Sequence, residues 1–160
     1  MAISSQLIQL LRRNFALDWG GIHGASHWAR VRENGLRLCD STGANPRVVE
    51  AFAFLHDSQR QNDGRDRLHG HRAAAFARSL PLAMLDLSEL ELDLLVAACR
   101  GHSEGIIEAD ITVCTCWDAD RLDLGRVGIV PCPSRLCTDA ARDPAMIRWA
   151  YARSTRIVGT

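Results

Sequence analysis

The 160-residue chain contains no lysine; all nineteen of its basic residues are arginine. Schiff-base chemistry and a Walker-type phosphate lysine are therefore excluded together. Surplus charge is missing too, since nineteen acidic residues balance the arginines. Non-specific binding of a nucleic-acid polymer needs an electrostatic excess that this composition does not supply. No apolar run approaches the roughly 18–20 residues that span a bilayer, so no membrane partner is expected. The first residues place Arg12-Arg13 after the apolar stretch, with no basic segment before it, unlike a secretory signal. The six cysteines (39, 99, 114, 116, 132 and 137) include no C-x-x-C pair. They are expected to be reduced thiols of a cytoplasmic protein. Cys114 and Cys116 lack the second ligand pair that a structural zinc site needs.

What is present suits one globular domain. Hydrophobic residues make up 47% of the chain and charged residues 24%, enough apolar material for a core. The spacing of apolar residues at three and four predicts helices. They are expected near 4–15, 25–39 (ending at the turn Asp40–Gly43), 46–57, 68–80, 88–100 and 115–125, with a short one from Asp143-Pro144. Asn45-Pro46 offers a side-chain cap followed by a residue pre-set for the first helical position. Ser88 and Glu91 have capping-box spacing. The fold class is all-α, a compact bundle of six or seven helices. The strand-like pieces Ile111–Cys114 and Val127–Val130 leave room for a minor β contribution.

The polar residues carry the functional signal. His56-Asp57 ends a helix that is apolar nearly all round, so both side chains are expected to be buried. An imidazole and a carboxylate are costly to bury unless something binds them, and a divalent cation needs both in these forms. Alternatively, His56 is a cation at a helix C-terminus. His27 lies on the preceding helix, four residues after His23, which sits in a glycine-rich elbow. Asp118, Asp120 and Asp123 cannot all face one way on a helix.

Taken in order, His27, His56-Asp57 and Asp120 form an H…HD…D pattern. With Gly101-His102 and Ala119-Asp120-Arg121-Leu122-Asp123, the pattern resembles the HD metal-dependent phosphohydrolase superfamily over roughly residues 20–130. The segments Gly-Ile-His-Gly-Ala-Ser-His-Trp-Ala-Arg-Val and Cys-Trp-Asp-Ala-Asp-Arg-Leu-Asp-Leu are similar to a bacterial branch of HD-domain proteins. The resemblance implies one HD-type domain over residues 1–160, with its core at about 20–130 and an extension at 131–160 packing on it. It also implies a divalent metal held by His27, His56, Asp57 and Asp120. Asp120 is preferred to Asp118 because the distal aspartate of the family precedes a residue and then leucine. Such ligands suit Mn, Fe, Co, Ni, Zn or Mg.

The implied function is hydrolysis of a small phosphorylated metabolite or nucleotide by metal-activated water. Asp63 is then a candidate general base or water-orienting group, and His102 a candidate catalytic group. Arg60 and Arg121 are candidates to hold phosphate oxygens by paired N–H bonds. His23 and His69 are candidates to contact substrate. His23, His69 and His102 are equally able to complete a second metal site. Where the stringent-response hydrolases of the family carry an acidic pair, this chain has Arg60-Gln61. That departure speaks against their mechanism and favours a second reading, a non-catalytic module holding metal or nucleotide. A third reading is a di-iron oxygenase, against which stands the spacing of only twelve residues from Asp57 to His69. The segment Ala145–Tyr151, with Trp149, is a candidate either to cover the core or to pair with a second copy.

Overall fold

A computed structural model describes residues 3–156. The outermost residues of the 1–160 span, 1–2 and 157–160, lie outside the described residues. The described chain is all-α, with nine α-helices, two 3-10 turns (Leu124–Val127 and Pro133–Arg135) and no strand. The helices are α1 (Ser5–Asn14), α2 (Ala25–Thr42), α3 (Pro46–Leu55), α4 (His69–Ser79), α5 (Leu82–Leu85), α6 (Glu89–Gly101), α7 (Ile111–Arg121), α8 (Asp139–Arg142) and α9 (Pro144–Ser154). The excess over six or seven comes from α5 and α8, four residues each, too short for a periodic apolar pattern to announce.

Three expected boundaries move for local reasons. The second helix runs on to Thr42 because Gly43, at φ 73°, is its left-handed stop, and its N–H bonds the Cys39 carbonyl at 3.0 Å. The helix expected at 115–125 begins at Ile111. Asp110 caps it by accepting the Thr112 N–H at 2.8 Å, which turns the strand-like Ile111–Cys114 into a first helical turn. Val127 closes a 3-10 turn ended by Gly128 at φ 79°, so Val127–Val130 makes no strand.

Helix α3 is the centre. Its Val48, Val49, Ala51, Phe52, Ala53 and Leu55 are completely buried, and α2, α6 and α7 pack around it. Helix α2 packs tightly on α3 and α7 at Gly35. A Cβ there would lie 2.3 Å from Val49 Cγ1 and 3.3 Å from Ala119 Cβ. Phe15, Trp19 and Phe54 contact the buried Trp28 edge-on and hold the elbow after α1 against α2. A smaller cluster joins Leu38 and Leu122 to Met146, Ile147 and Ala150 of α9. On that helix Trp149 is stacked between the guanidinium groups of Arg37 and Arg153. No described helix is long and apolar enough to cross a membrane, and all six cysteines are free thiols.

Glu91 ties α6 to the start of α3. Its carboxylate accepts from the Ser88 backbone N–H at 2.8 Å, completing the capping box of α6. It also accepts from Asn45 at 2.7 Å and Arg47 at 2.6 Å at the start of α3. The Ser88 N–H, joined by Asn45 and Arg47 and opposed by burial, holds its pKa at about 2 rather than 4.5. The folded-state pKa is depressed, so this contribution is complete above pH 4.5 and fades as the pH falls towards 2. Glu91→Gln should lower stability at pH 7 by about 1 kcal/mol. The difference from the parent chain should shrink as unfolding is measured at progressively lower pH; a constant difference would contradict the assignment.

Candidate metal centre

The ends of α3, α6 and α7, the start of α4 and the first turn of α2 meet at one place. Asp57, just past α3, stands between two sets of side chains. Its Oδ2 lies 3.5 Å from His27 Nε2 and 3.7 Å from His56 Nε2. Its Oδ1 lies 3.2 Å from His69 Nε2 and 3.4 Å from His102 Nε2. Asp120 Oδ1 joins the first set, 3.3 Å from His27 Nε2 and 3.5 Å from His56 Nε2. His27, His56, Asp57, His69 and His102 are all buried.

The backbone fixes which nitrogen of each imidazole faces this centre. His56 and His102 follow the last residues of α3 and α6. His56 Nδ1 donates to the carbonyls of Phe52 and Ala53 at 3.1 Å, and His102 Nδ1 donates to Cys99 O at 2.7 Å. His69 Nδ1 donates to Asp66 O, and His27 Nδ1 donates to the Asp123 carboxylate at 2.6 Å. Because each of these partners only accepts, the proton of every neutral imidazole sits on Nδ1. The Nε2 lone pairs are thus turned inward. His27 and His56 bring theirs to 3.1 Å, and His69 and His102 to 2.8 Å. Two lone pairs facing each other beside carboxylate oxygens repel unless a cation lies between them. Nitrogen and oxygen ligands about 2.0–2.1 Å from one ion in adjacent octahedral positions lie about 3 Å apart. The donor set therefore fits divalent metal ions.

Electrostatics agree on the need for positive charge. Burial lowers the pKa of His27 and Arg126 adds to that, yet the carboxylates of Asp120, Asp123 and Asp57 hold it up at about 9. Burial opposes ionisation of Asp57 and Asp120, but His56 and the other imidazoles beside them keep both well below the usual carboxylate range.

The structure gathers most of the residues singled out from the sequence. Asp120 faces the centre, whereas Asp118 accepts from Cys137 N, Thr138 N and Thr138 Oγ1 at 2.7–2.9 Å and anchors the segment leading into α8. His56 bonds the helix end through Nδ1 and offers Nε2 to the centre, so the two alternatives for it occupy different atoms. His69 reaches Asp57 despite the short spacing, because residues 58–68 fold back before α4 begins. Arg60 donates to Asp57 Oδ1 at 3.1 Å and to the carbonyls of Asn62 and Gly64 at 3.2 Å. His23 Nδ1 bonds Asp63 Oδ1 at 2.9 Å and joins the elbow to the 58–66 loop. Burial lowers the His23 pKa against the pull of Asp63.

Arg121 is not brought to the centre. Its guanidinium lies over Trp117 and donates to the carbonyls of Arg135 at 3.0 Å and Ile106 at 2.7 Å. Successive residues of a helix point about 100° apart, so Asp120 facing inward turns Arg121 away.

Asp123 and Arg30, to which the sequence pattern assigns no role, complete the surroundings of His27. Asp123, completely buried, orients His27 and receives Arg30 through Nε at 2.7 Å and Nη2 at 3.1 Å. The signal was available: Arg30 follows His27, and Asp123 follows Asp120, by three residues each, a spacing that puts them on neighbouring faces.

A crystal structure of a predicted HD superfamily hydrolase from an uncultured Thermotogales bacterium is similar to this chain. The TM-score is 0.70 at 24% identity, covering 92% of this chain and 84% of that one. No family model matches the chain, and no match was found among curated proteins. The similarity shows an HD-type helical fold, and the buried His/Asp groups within it are able to hold metal ions.

Asp123→Asn should weaken metal binding 10- to 100-fold while leaving helical content unchanged, since partners that orient a ligand histidine have effects of this size. Competition against a chelating indicator reads the affinity directly; unaltered affinity would show that Asp123 does not orient His27.

Proposed function

We propose that this chain is an HD-type metal-dependent phosphohydrolase, acting in the cytoplasm on a small phosphorylated metabolite or nucleotide. The observation that carries the reading is Asp57, whose two oxygens each face a pair of inward-turned Nε2 atoms. His27, His56, Asp57 and Asp120 would hold one ion, and Asp57, His69 and His102 a second. Bound there, such ions supply a water of lowered pKa and stabilise charge developing on a phosphoryl group.

The protein groups divide the remaining work. Arg60 is nearly buried and held in place by two loop carbonyls, which leaves its Nη2 available to an anionic oxygen beside Asp57. His23, kept neutral near pH 7 by burial, has its Nδ1 proton fixed on Asp63. Its Nε2 is then the proton acceptor, and Asp63 acts through it. Arg126 holds this elbow by donating to Ile22 O at 2.9 Å and Asp123 O at 3.0 Å.

The pairing of His69 with His102 on the second oxygen of Asp57 also favours the di-iron oxygenase reading. One experiment separates them. Metal content and phosphate release should be measured with Mn²⁺, Co²⁺, Ni²⁺ and Mg²⁺, alongside oxygen uptake with Fe²⁺. Phosphate release that falls at least a thousandfold in Asp57→Ala, together with loss of bound metal, is the expected result. In His69→Ala one equivalent of metal should be lost while the His27 site keeps its own. Turnover that survives in Asp57→Ala overturns the hydrolase reading, and oxygen uptake without phosphate release replaces it with the oxygenase.

A further inference from the structure

A cavity of about 430 Å³ opens beside His69 and Arg60 and is walled by Arg65, Arg67, Ser103 and Glu104. Arg65 and Arg67 are exposed, and among the described residues neither makes a hydrogen bond, an ion pair or an aromatic contact. Most other arginines here are committed, to carboxylates (Arg30, Arg32, Arg47, Arg72, Arg78), to carbonyls (Arg60, Arg121, Arg126) or to indole rings (Arg37, Arg153). The acids of the same loop are also committed. Asp63 bonds His23, and Asp66 receives Arg72 and the Gln61 N–H. Arg65 and Arg67 thus line the cavity without a direct ion pair, next to Arg60, which is suited to bind a phosphoryl oxygen; the acidic residues of the lining are Asp66, already paired with Arg72, and Glu104.

The start of α4 adds to this positive wall. His69 is its first residue, the preceding Leu68 supplies no side-chain cap, and the first-turn N–H groups have no side-chain partner. The helix dipole adds partial positive charge at the mouth of the cavity. Glu104, which also lines the cavity, limits the excess and offers an acceptor to a hydroxyl group.

Resting on the hydrolase reading above, we propose that this cavity is a subsite for a second anionic group, so that the substrate is a bisphosphorylated or otherwise doubly anionic small molecule. One phosphoryl group lies at Asp57, and Arg65 and Arg67 hold the other through charge-assisted N–H bonds. A simple monophosphate leaves this cavity unfilled and forfeits that binding.

Fructose 1,6-bisphosphate and fructose 6-phosphate serve as matched probes, titrated calorimetrically into the full metal-loaded chain. The bisphosphate should bind at least tenfold more tightly than the monophosphate. Arg65→Ser with Arg67→Ser should bring the two affinities to within about twofold of each other, by weakening the bisphosphate alone. Arg67→Glu, a second route to the same answer, should reverse the preference. Circular dichroism and metal content confirm that each variant is folded and loaded. Equal binding of the two probes by the parent chain, or a preference that survives both substitutions, overturns the subsite. Turnover is read separately. A preference that depends on the arginines without any phosphate release leaves the subsite standing and removes the hydrolase, whereas phosphate release without the preference does the reverse.

Discussion

One carboxylate shared between two pairs of imidazoles organises this molecule. Asp57 is buried, and each of its oxygens faces two Nε2 atoms at 3.2–3.7 Å. A buried anion surrounded by inward-turned lone pairs is a poor arrangement for a protein alone and a good one for a protein holding cations. The rest of the fold can be understood as the means of imposing it. Helix α3 is buried along most of its length, which anchors it in the core. It delivers His56 and Asp57 to a fixed point where the helix ends.

Helix termini do much of the orienting. Carbonyls in the last turns of α3 and α6 take the Nδ1 protons of His56 and His102, and the Asp66 carbonyl before α4 takes that of His69. Only His27, within the first turn of α2, requires a side chain for this purpose. The buried Asp123, clamped by Arg30, provides it. Placing ligands at helix ends thus satisfies backbone groups that would otherwise be orphaned and selects the imidazole tautomer in the same contacts.

The helical class was legible from the spacing of apolar residues, and the resemblance of the order His27, His56-Asp57, Asp120 to the HD pattern singled out the four side chains that meet on the Oδ2 side of Asp57. Capping chemistry at Asn45-Pro46 and Ser88…Glu91 was legible because it is local. What escaped depends on contacts across the chain. His69 looked too near Asp57 in sequence, because the return of residues 58–68 is a property of the folded loop rather than of spacing. Arg121 looked well placed beside Asp120, but the turn of α7 sends it to carbonyls on the opposite side. The start of α7 was misjudged because alternating apolar residues at Ile111–Cys114 mimic a strand, and the cap from Asp110 decides otherwise. The unpaired state of Arg65 and Arg67 is also invisible in a sequence whose total charge is zero.

The most direct measurement is anomalous diffraction from crystals of the full chain grown with Mn²⁺, recorded so that the ions are located by their own scattering. The account predicts anomalous density at Asp57, on the Oδ2 side among His27, His56 and Asp120 and on the Oδ1 side between His69 and His102, at bonding distances of about 2 Å. Density confined to surface carboxylates, with the inward-turned imidazoles bound to nothing but one another, would contradict it.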